Sequence, residues 1–456
     1  MTLTERPATE LAGRLARREL SAREVVAAHL ERIAARDPQL NAFLTVAAGA
    51  ALARADALDA LPAPAGPLHG LPVSIKDLVD TAGLRTTYGS ALFADHVPAA
   101  NDLVVERIER AGGVVIGKTN TPEFGFGAVC TNPLLGPTRN PFDPDLTSGG
   151  SSGGAAVSVA TGMAALAHGT DFGGSVRVPA SFCGVVSIRP TPGLVPAPGR
   201  ALGWDTLSTH GTIARSVDDC ALLLAAMAGA DPRDPTSFVP SVPDHGARPR
   251  LAATADFGVA PVARAVRALF EAAVDGIARA AGPVVRRSPE CGEAAATLRT
   301  LRAAHVLNGF GPLLAKDPER ITPTLRWNIE AGRGITAEQY LSAQAARTRL
   351  YRGFAALFRE VDVLVAPACC VLPWPNEDGE VTAIDGRPVE TILDYLAVTT
   401  VITLIGFPVL TLPAGRSADG IPFGVQLIAR PGEEALLLRL GRALEAAGFA
   451  WEAPGG

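Results

Sequence analysis

Ser148-Gly149-Gly150-Ser151-Ser152-Gly153-Gly154-Ala155-Ala156 and Gly169-Thr170-Asp171-Phe172-Gly173-Gly174-Ser175-Val176-Arg177 form two Gly-Gly-Ser clusters close together in the chain. Glycine reaches backbone conformations closed to other residues and lets main-chain N–H groups approach a ligand with no Cβ in the way. A row of such groups makes an anion nest, suited to a phosphate or to the oxyanion of a tetrahedral intermediate. A serine ending that row is where a nucleophile could stand. An isolated Gly-Gly-Ser also reads as a tight turn with small residues packed under a helix, and the glycines alone leave both readings open.

Outward from the clusters, helix and strand signals alternate. Leu71-Pro72-Val73-Ser74-Ile75 is a short apolar run that reads as a strand ending at Lys76. Asp102 to Ala111 predicts a helix stopped by Gly112-Gly113, and Val114-Val115-Ile116 a buried strand. Nearer the N-terminus, Ser21-Ala22-Arg23-Glu24 is a capping box opening an amphipathic helix toward Arg36, with Val25, Val26, Leu30 and Ile33 on one stripe. Downstream, Ser216 caps a helix through Met227, and Val361 to Val365 is a further strand-like run. This alternation predicts an α/β fold around a mainly parallel or mixed sheet. Residues 228 to 250, rich in Pro and Asp, predict a long surface loop or subdomain boundary, and Pro373-Trp374-Pro375-Asn376 a second loop.

Composition narrows the function. With 456 residues, 48% hydrophobic and 19% charged, the chain can bury a large core and is not a disordered protein. The formal charge is −5 and no basic run occurs, so the electrostatic footprint for nucleic acid or an anionic membrane is missing. A small, neutral or weakly charged ligand is expected. Met1-Thr2-Leu3-Thr4-Glu5-Arg6 lacks the apolar stretch of a secretory signal, so a cytoplasmic location is expected. Six cysteines, Cys130, Cys183, Cys220, Cys291, Cys369 and Cys370, show neither disulfide-framework density nor zinc-site spacing. The uncharged stretch Tyr395 to Gly415 is long enough to span a bilayer, yet Gly406-Phe407-Pro408 and Pro413 interrupt it; a short helix followed by a buried strand suits it better.

Over roughly Thr4 to Gly448 the sequence resembles the amidase signature family. The likeness runs through Pro72-Val73-Ser74-Ile75-Lys76-Asp77, Ile116-Gly117-Lys118-Thr119-Asn120-Thr121-Pro122-Glu123-Phe124, both glycine clusters with Val178-Pro179-Ala180, Cys183-Gly184-Val185-Val186, Arg189-Pro190-Thr191 and Gly420-Ile421-Pro422-Phe423-Gly424-Val425-Gln426. It implies a single domain, with a large mixed, mainly parallel sheet covered by helices on both faces. Within it the expected parts are an N-terminal helical part (1–65), a catalytic core (66–220), a loop and helical insertion (228–345) and a sheet-completing part (346–456). It also implies an amidohydrolase needing no cofactor or metal, acting on a small-molecule amide, with a homodimer as candidate assembly. Carried over residue by residue, the nucleophile falls on Ser175, the bridging serine, after a cis peptide bond, on Ser151, and the lysine on Lys76. Backbone N–H groups of Phe172, Gly173, Gly174 and Ser175 would hold the oxyanion.

These residue types suit the chemistry. A serine hydroxyl is a poor nucleophile until its proton is removed. Lysine removes it only when neutral, so a pKa of about 10.4 must fall toward roughly 7 to 8. Ser152 rivals Ser151 as the relay, and the family register favours Ser151. Asp171 and Arg177 read as a structural pair that rigidifies the oxyanion loop rather than as substrate contacts. His168 raises a Ser-His-Asp reading, but no Gly-x-Ser-x-Gly elbow surrounds either cluster. Gly112-Gly113-Val114-Val115-Ile116-Gly117-Lys118-Thr119 matches the P-loop expression formally, with a strand inside the would-be loop and Thr121-Pro122 where a helix should begin. One branch of the family is the glutaminase subunit of a tRNA-dependent amidotransferase, which ordinarily places Asp ten residues before Gly-x-Pro. Leu396 stands there, against glutamine and toward a free-standing amidase with a less polar pocket. Phe124, Phe126, Trp327 and Tyr395 are the expected pocket walls.

Overall fold

The local signals become elements where their hydrogen bonds close. Ser21 Oγ accepts from Glu24 N–H (3.1 Å) while Ser21 N–H donates to Glu24 Oε2 (2.8 Å), opening a helix over Ala22–Leu40. Asp102 caps the helix Leu103–Arg110 through Val104 N–H (3.0 Å), and Ser216 caps Val217–Met227 through Asp219 N–H. A computed structural model describes residues 2–239 and 246–455. Residues 240–245 of the expected long loop lie outside them; the flanks, 228–239 and 246–250, carry neither helix nor strand.

The strands, in chain order, begin with β1 (Phe43–Val46), β2 (Pro72–Lys76), β3 (Val114–Thr119) and β4 (Leu166–Asp171). β5 (Val186–Arg189), β6 (Thr209–Ala214), β7 (Leu251–Ala253), β8 (Val284–Arg286) and β9 (Val363–Pro367) follow. β10 (Ala383–Ile384) and β11 (Arg387–Pro388) form a separate hairpin, and β12 (Val409–Arg416) and β13 (Pro422–Ile428) return to the main sheet. That sheet has 11 strands in the order β1-β3-β2-β4-β6-β5-β12-β13-β9-β7-β8. It is mixed, as expected, but not mainly parallel. β2 runs parallel to β3 and β4, and β7 to β8 and β9, while the other neighbours are antiparallel. In the antiparallel centre β5 joins β6, and β12 joins β13, without the helical crossover that parallel neighbours need, and β5 and β12 bring the two pairs together from distant parts of the chain.

The expected insertion at 228–345 is not purely helix and loop: its short β7 and β8 extend the sheet beyond β9. Its helices Ala294–Lys316 and Pro323–Glu330 build a small second core of Val306, Leu314, Ile321, Leu325 and Ile329, against which Phe124, Phe126 and Phe310 pack. The large core lies on the sheet. The stretch from Tyr395 continues as a helix over Ala397–Ile405, ends at Gly406 in the left-handed region (φ 70°), and becomes β12. No described helix is long and apolar enough to cross a membrane. All six cysteines are buried and unpaired.

The position of the site follows from the parallel trio. β2 and β4 are hydrogen-bonded neighbours, in register from Val73 and Leu166 to Ile75 and His168, so their carboxyl ends open on the same side. That edge is where α/β sheets bind ligands.

Candidate active site

Lys76 is the last residue of β2 and is fully buried. Its Nζ donates to Ser151 Oγ (2.7 Å), Ser152 Oγ (2.8 Å) and Thr170 Oγ1 (3.1 Å), the last from the end of β4. Among the described residues no carboxylate pairs with it. Burial therefore pushes its pKa down to about 7, with the Cys130 thiol and the Asp171 carboxylate opposing the shift. The Gly150–Ser151 peptide bond is cis. A side chain at Gly150 has no room, because a Cβ there would lie 2.6 Å from Gly127 O.

The two glycine clusters meet through the backbone: Ser152 N–H donates to Ser175 C=O (3.1 Å). Ser151 and Ser175 both open on a cavity of about 390 Å³ that also takes in Thr170, Phe172 and Gly173. Ser152, equally close to Lys76, is fully buried and does not reach that cavity. Of the two serine hydroxyls on Lys76, Ser151 is thus the one between the amine and the open space.

The loop from β4 to Ser175 is braced by charge. Arg177 grips Asp171 with both arms, Nη2 to Oδ1 (2.7 Å) and Nε to Oδ2 (3.0 Å), and Arg189 lies 3.3 Å from Oδ1. Burial pushes the Asp171 carboxyl up, but the two guanidinium groups outweigh it and hold the pKa at about 2. Arg177 ties the loop outward to Gln426 Oε1 and Thr399 C=O (both 2.8 Å). Asp171 and Arg177 are thus a buried structural pair, outside the cavity.

The expected oxyanion donors do not all survive. Gly174 N–H is already given to Asp171 Oδ1 (3.1 Å), and Gly174 does not line the cavity. Its role is conformational: φ is 112°, and a Cβ would meet Thr399 Oγ1 at 2.6 Å. Among the described residues, the N–H groups of Gly173 and Ser175 have no acceptor, and both residues face the cavity. Phe172 also lines it.

Two of the four expected pocket walls are in place. Phe124 and Phe126 line the cavity and pack against Phe310, at 4.9 and 5.3 Å between ring centroids. Trp327 lies elsewhere, 47% exposed on the helix Pro323–Glu330, because that helix turns Leu325 and Ile329 inward instead. Tyr395 is fully buried, its hydroxyl donating to Glu380 Oε2; the wall there is Ile392, Leu393 and Leu396. Sequence reasoning missed the polar part of the lining: Arg200, Asp205, Ser208, Arg302, His305 and Asn308. The pocket is therefore less apolar than Leu396 alone suggests. Within Ala294–Lys316 the turn-spaced Arg302 and His305 were a legible signal, since both face one side of that helix.

The decoys sit away from this space. His168 pairs with His210 (Nε2 to Nδ1, 2.9 Å) inside the sheet. Lys118 is buried on β3, its amine given to Val79 C=O and Thr86 Oγ1, which leaves it unable to meet a phosphate. Among the described residues no group of three or more His, Cys, Asp or Glu is placed to hold a metal ion.

Known proteins share this fold over nearly its whole length. The Amidase family model matches residues 24–438. A glutamyl-tRNA(Gln) amidotransferase subunit from Acidothermus cellulolyticus is 37% identical, over 98% of this chain and 95% of that one. The solved bacterial aryl acylamidase of the amidase signature family superposes with a TM-score of 0.92 at 27% identity, covering 99% of both chains. The corresponding glutamyl-tRNA(Gln) amidotransferase subunit from Thermotoga maritima superposes with a TM-score of 0.81 at 27% identity, over 100% of this chain and 98% of that one. Matched in sequence over most of its length and in fold over nearly all of it, the chain belongs to the amidase signature family, hydrolases of amide C–N bonds.

Proposed function

We propose that the chain hydrolyses a small carboxylic amide through an acyl-serine intermediate, with Ser175 as nucleophile, Ser151 as proton relay and Lys76 as base. The observation that carries this reading is a fully buried amine, free of any described carboxylate partner, bonded to a serine hydroxyl that shares a cavity with Ser175. An amine depressed to about 7 is neutral in part at physiological pH and can accept a proton. Ser175 Oγ attacks the amide carbon as its proton passes through Ser151 to Lys76. The C–N bond then breaks, and the leaving nitrogen takes that proton back along the same path. Water, deprotonated by the same relay, cleaves the acyl ester and releases the carboxylate. N–H groups of Gly173 and Ser175 hold the oxyanion, where one lost donor costs about 2.7 to 4 kcal/mol of barrier.

A second reading makes the chain the glutaminase subunit of a tRNA-dependent amidotransferase. Its support is the likeness to curated proteins of that name at 37% identity over nearly full length. Against it, Leu396 lines the cavity where that branch ordinarily carries Asp, which leaves no acid there for the ammonium of glutamine. The purified chain, assayed on simple amides and on glutamine, separates the two. Turnover of simple amides without partners, lost in Ser175→Ala, supports the first; glutaminase activity only with added subunits supports the second. Absence of labelling by a fluorophosphonate probe under all conditions overturns the acyl-serine mechanism.

A further inference from the structure

Arg302 is a buried cation with an incomplete set of partners. It projects from the helix Ala294–Lys316, is 7% exposed, and lines the cavity. A guanidinium carries five N–H donors in a fixed fork. Among the described residues its one hydrogen-bond acceptor is Asn328 Oδ1, a neutral amide oxygen taken by Nη1. Asn328 is itself oriented by donating from Nδ2 to Thr324 C=O (2.8 Å), so its oxygen is held toward the arginine.

The other buried arginines differ. Arg177 and Arg189 share Asp171, and Arg215 has the carbonyls of Val159, Ala164 and Arg6. Arg200, on the same wall of the cavity, gives Nη1 to Asp205 C=O (2.9 Å) and Nη2 to Ser208 C=O (2.6 Å). Asp205, which also lines the cavity, is already engaged: Oδ1 accepts from Leu207 N–H (2.8 Å) and Oδ2 lies 3.3 Å from His305 Nδ1. Among the described residues, therefore, nothing neutralises Arg302. A buried charge left in that condition is costly, and an anion in the cavity removes the cost.

The arginine is also aimed. Its guanidinium lies over the ring of Phe126, 5.2 Å from the centroid. Phe126 belongs to the Gly125–Gly127 turn that borders Ser151, where a Cβ on Gly125 would come within 3.3 Å of Ser151 Oγ. One aromatic side chain thus bridges the Ser151 wall and the cationic wall. A planar fork matches a carboxylate in bidentate geometry.

We propose that Arg302 anchors a carboxylate on the substrate, remote from the scissile amide, so that the preferred substrates are small amides of dicarboxylic acids that carry no ammonium group beside that carboxylate. The inference deepens the acyl-serine reading and rests on it for the orientation of the amide toward Ser175. The absence of an ammonium follows from Leu396, Leu393 and Ile392, which present only hydrocarbon on their side of the cavity. Burial pushes the Arg302 pKa down to about 10, which leaves it charged at neutral pH.

Binding to the full chain carrying Ser175→Ala tests the anchor apart from turnover. Calorimetry would compare glutaramate (glutamine without its amino group), pentanamide (neutral) and glutamine. Expected is glutaramate binding about 10- to 100-fold tighter than pentanamide, as for a hydrogen-bonded charge. Adding Arg302→Gln should abolish that preference, with pentanamide changed less than about 3-fold. Arg302→Lys, which keeps the charge if the neutral variant unfolds, should retain part of it. Equal binding of glutaramate and pentanamide, no binding of either, or a preference that persists in Arg302→Gln overturns the proposal. Glutamine bound more tightly than glutaramate overturns its ammonium-free part and favours the amidotransferase reading. Arg302-dependent binding together with no turnover of glutaramate by the Ser175 form would leave the anchor standing and sink the acyl-serine mechanism.

Discussion

Lys76 Nζ lies 2.7 Å from Ser151 Oγ, with no described carboxylate paired to the amine to hold it protonated. Replacing Lys76 with Met keeps the length and removes the proposed base. Amide turnover should fall about 10²- to 10⁴-fold, the usual contribution of a general base. The fold should persist, because removing a buried amine without replacing it by a charge leaves only hydroxyls that can bond one another. Steady-state kinetics alongside a thermal melt check both halves; a folded Met variant with unimpaired turnover refutes the assignment.

Activity should rise with pH through about 7, as Lys76 loses its proton. Stability should move in the same direction. The folded pKa is depressed below the unfolded value of about 10.4, so between those values the unfolded chain binds more protons and stability increases with pH. Lys118, lowered to about 8 mainly by burial, adds to the trend. Urea midpoints from pH 6 to 10 test this, and Lys76→Met should flatten the slope.

Asp171 neutralises two buried arginines and takes Gly174 N–H. Asp171→Asn leaves both cations without a counter-charge and should cost about 3 to 5 kcal/mol, measured by denaturant unfolding. Its depressed pKa of about 2 places its stabilisation above the unfolded value of about 3.9, to be lost as pH falls from there toward 2. Loss of activity should accompany loss of stability, since the same loop presents Ser175.

Gly174→Ala meets Thr399 at 2.6 Å with φ at 112°, and should destabilise by about 1 to 3 kcal/mol or more. A double variant with Thr399→Gly relieves the clash and not the backbone strain. Partial rescue of the melting temperature is the expected result.

The wall assignments separate two aromatic residues that composition alone treats alike. Phe126→Ala should lower kcat/KM by about 10-fold or more, by the truncation of a large, half-buried ring that lines the cavity. Trp327→Ala, at a half-exposed position outside the cavity, should change it by less than about 2-fold. Kinetics on one amide substrate decide it.

How much of this was legible depended on whether the signal was local. The Ser21 capping box, the helix beginning at Asp102 and the run ending at Lys76 became structure as read, because helix ends and short apolar strands are set by a few neighbouring residues. The sheet was not legible to the same degree: β7 and β8 are three-residue strands inside an expected insertion, too short for any periodicity, and pairing direction has no local signature. Trp327 and Tyr395 misled for a related reason. An aromatic residue shows the same preference for an apolar setting whether it walls a pocket, fills a core or caps an exposed helix face.

By itself the amino-acid order determined the family resemblance, the three residues proposed for the chemistry, and the glycines at Gly150 and Gly174 whose missing Cβ lets the loops close. Those follow from residue identity and from backbone freedom, which are properties of short segments. Only the tertiary structure decided which serine hydroxyl stands between Lys76 and open space, that Gly174 gives its N–H to Asp171, and that Arg302 is buried facing the cavity with no described carboxylate beside it. Burial and pairing depend on what distant segments bring into contact, and a lysine becomes a base or an arginine an anchor only when the surrounding chain has excluded water and withheld the opposite charge.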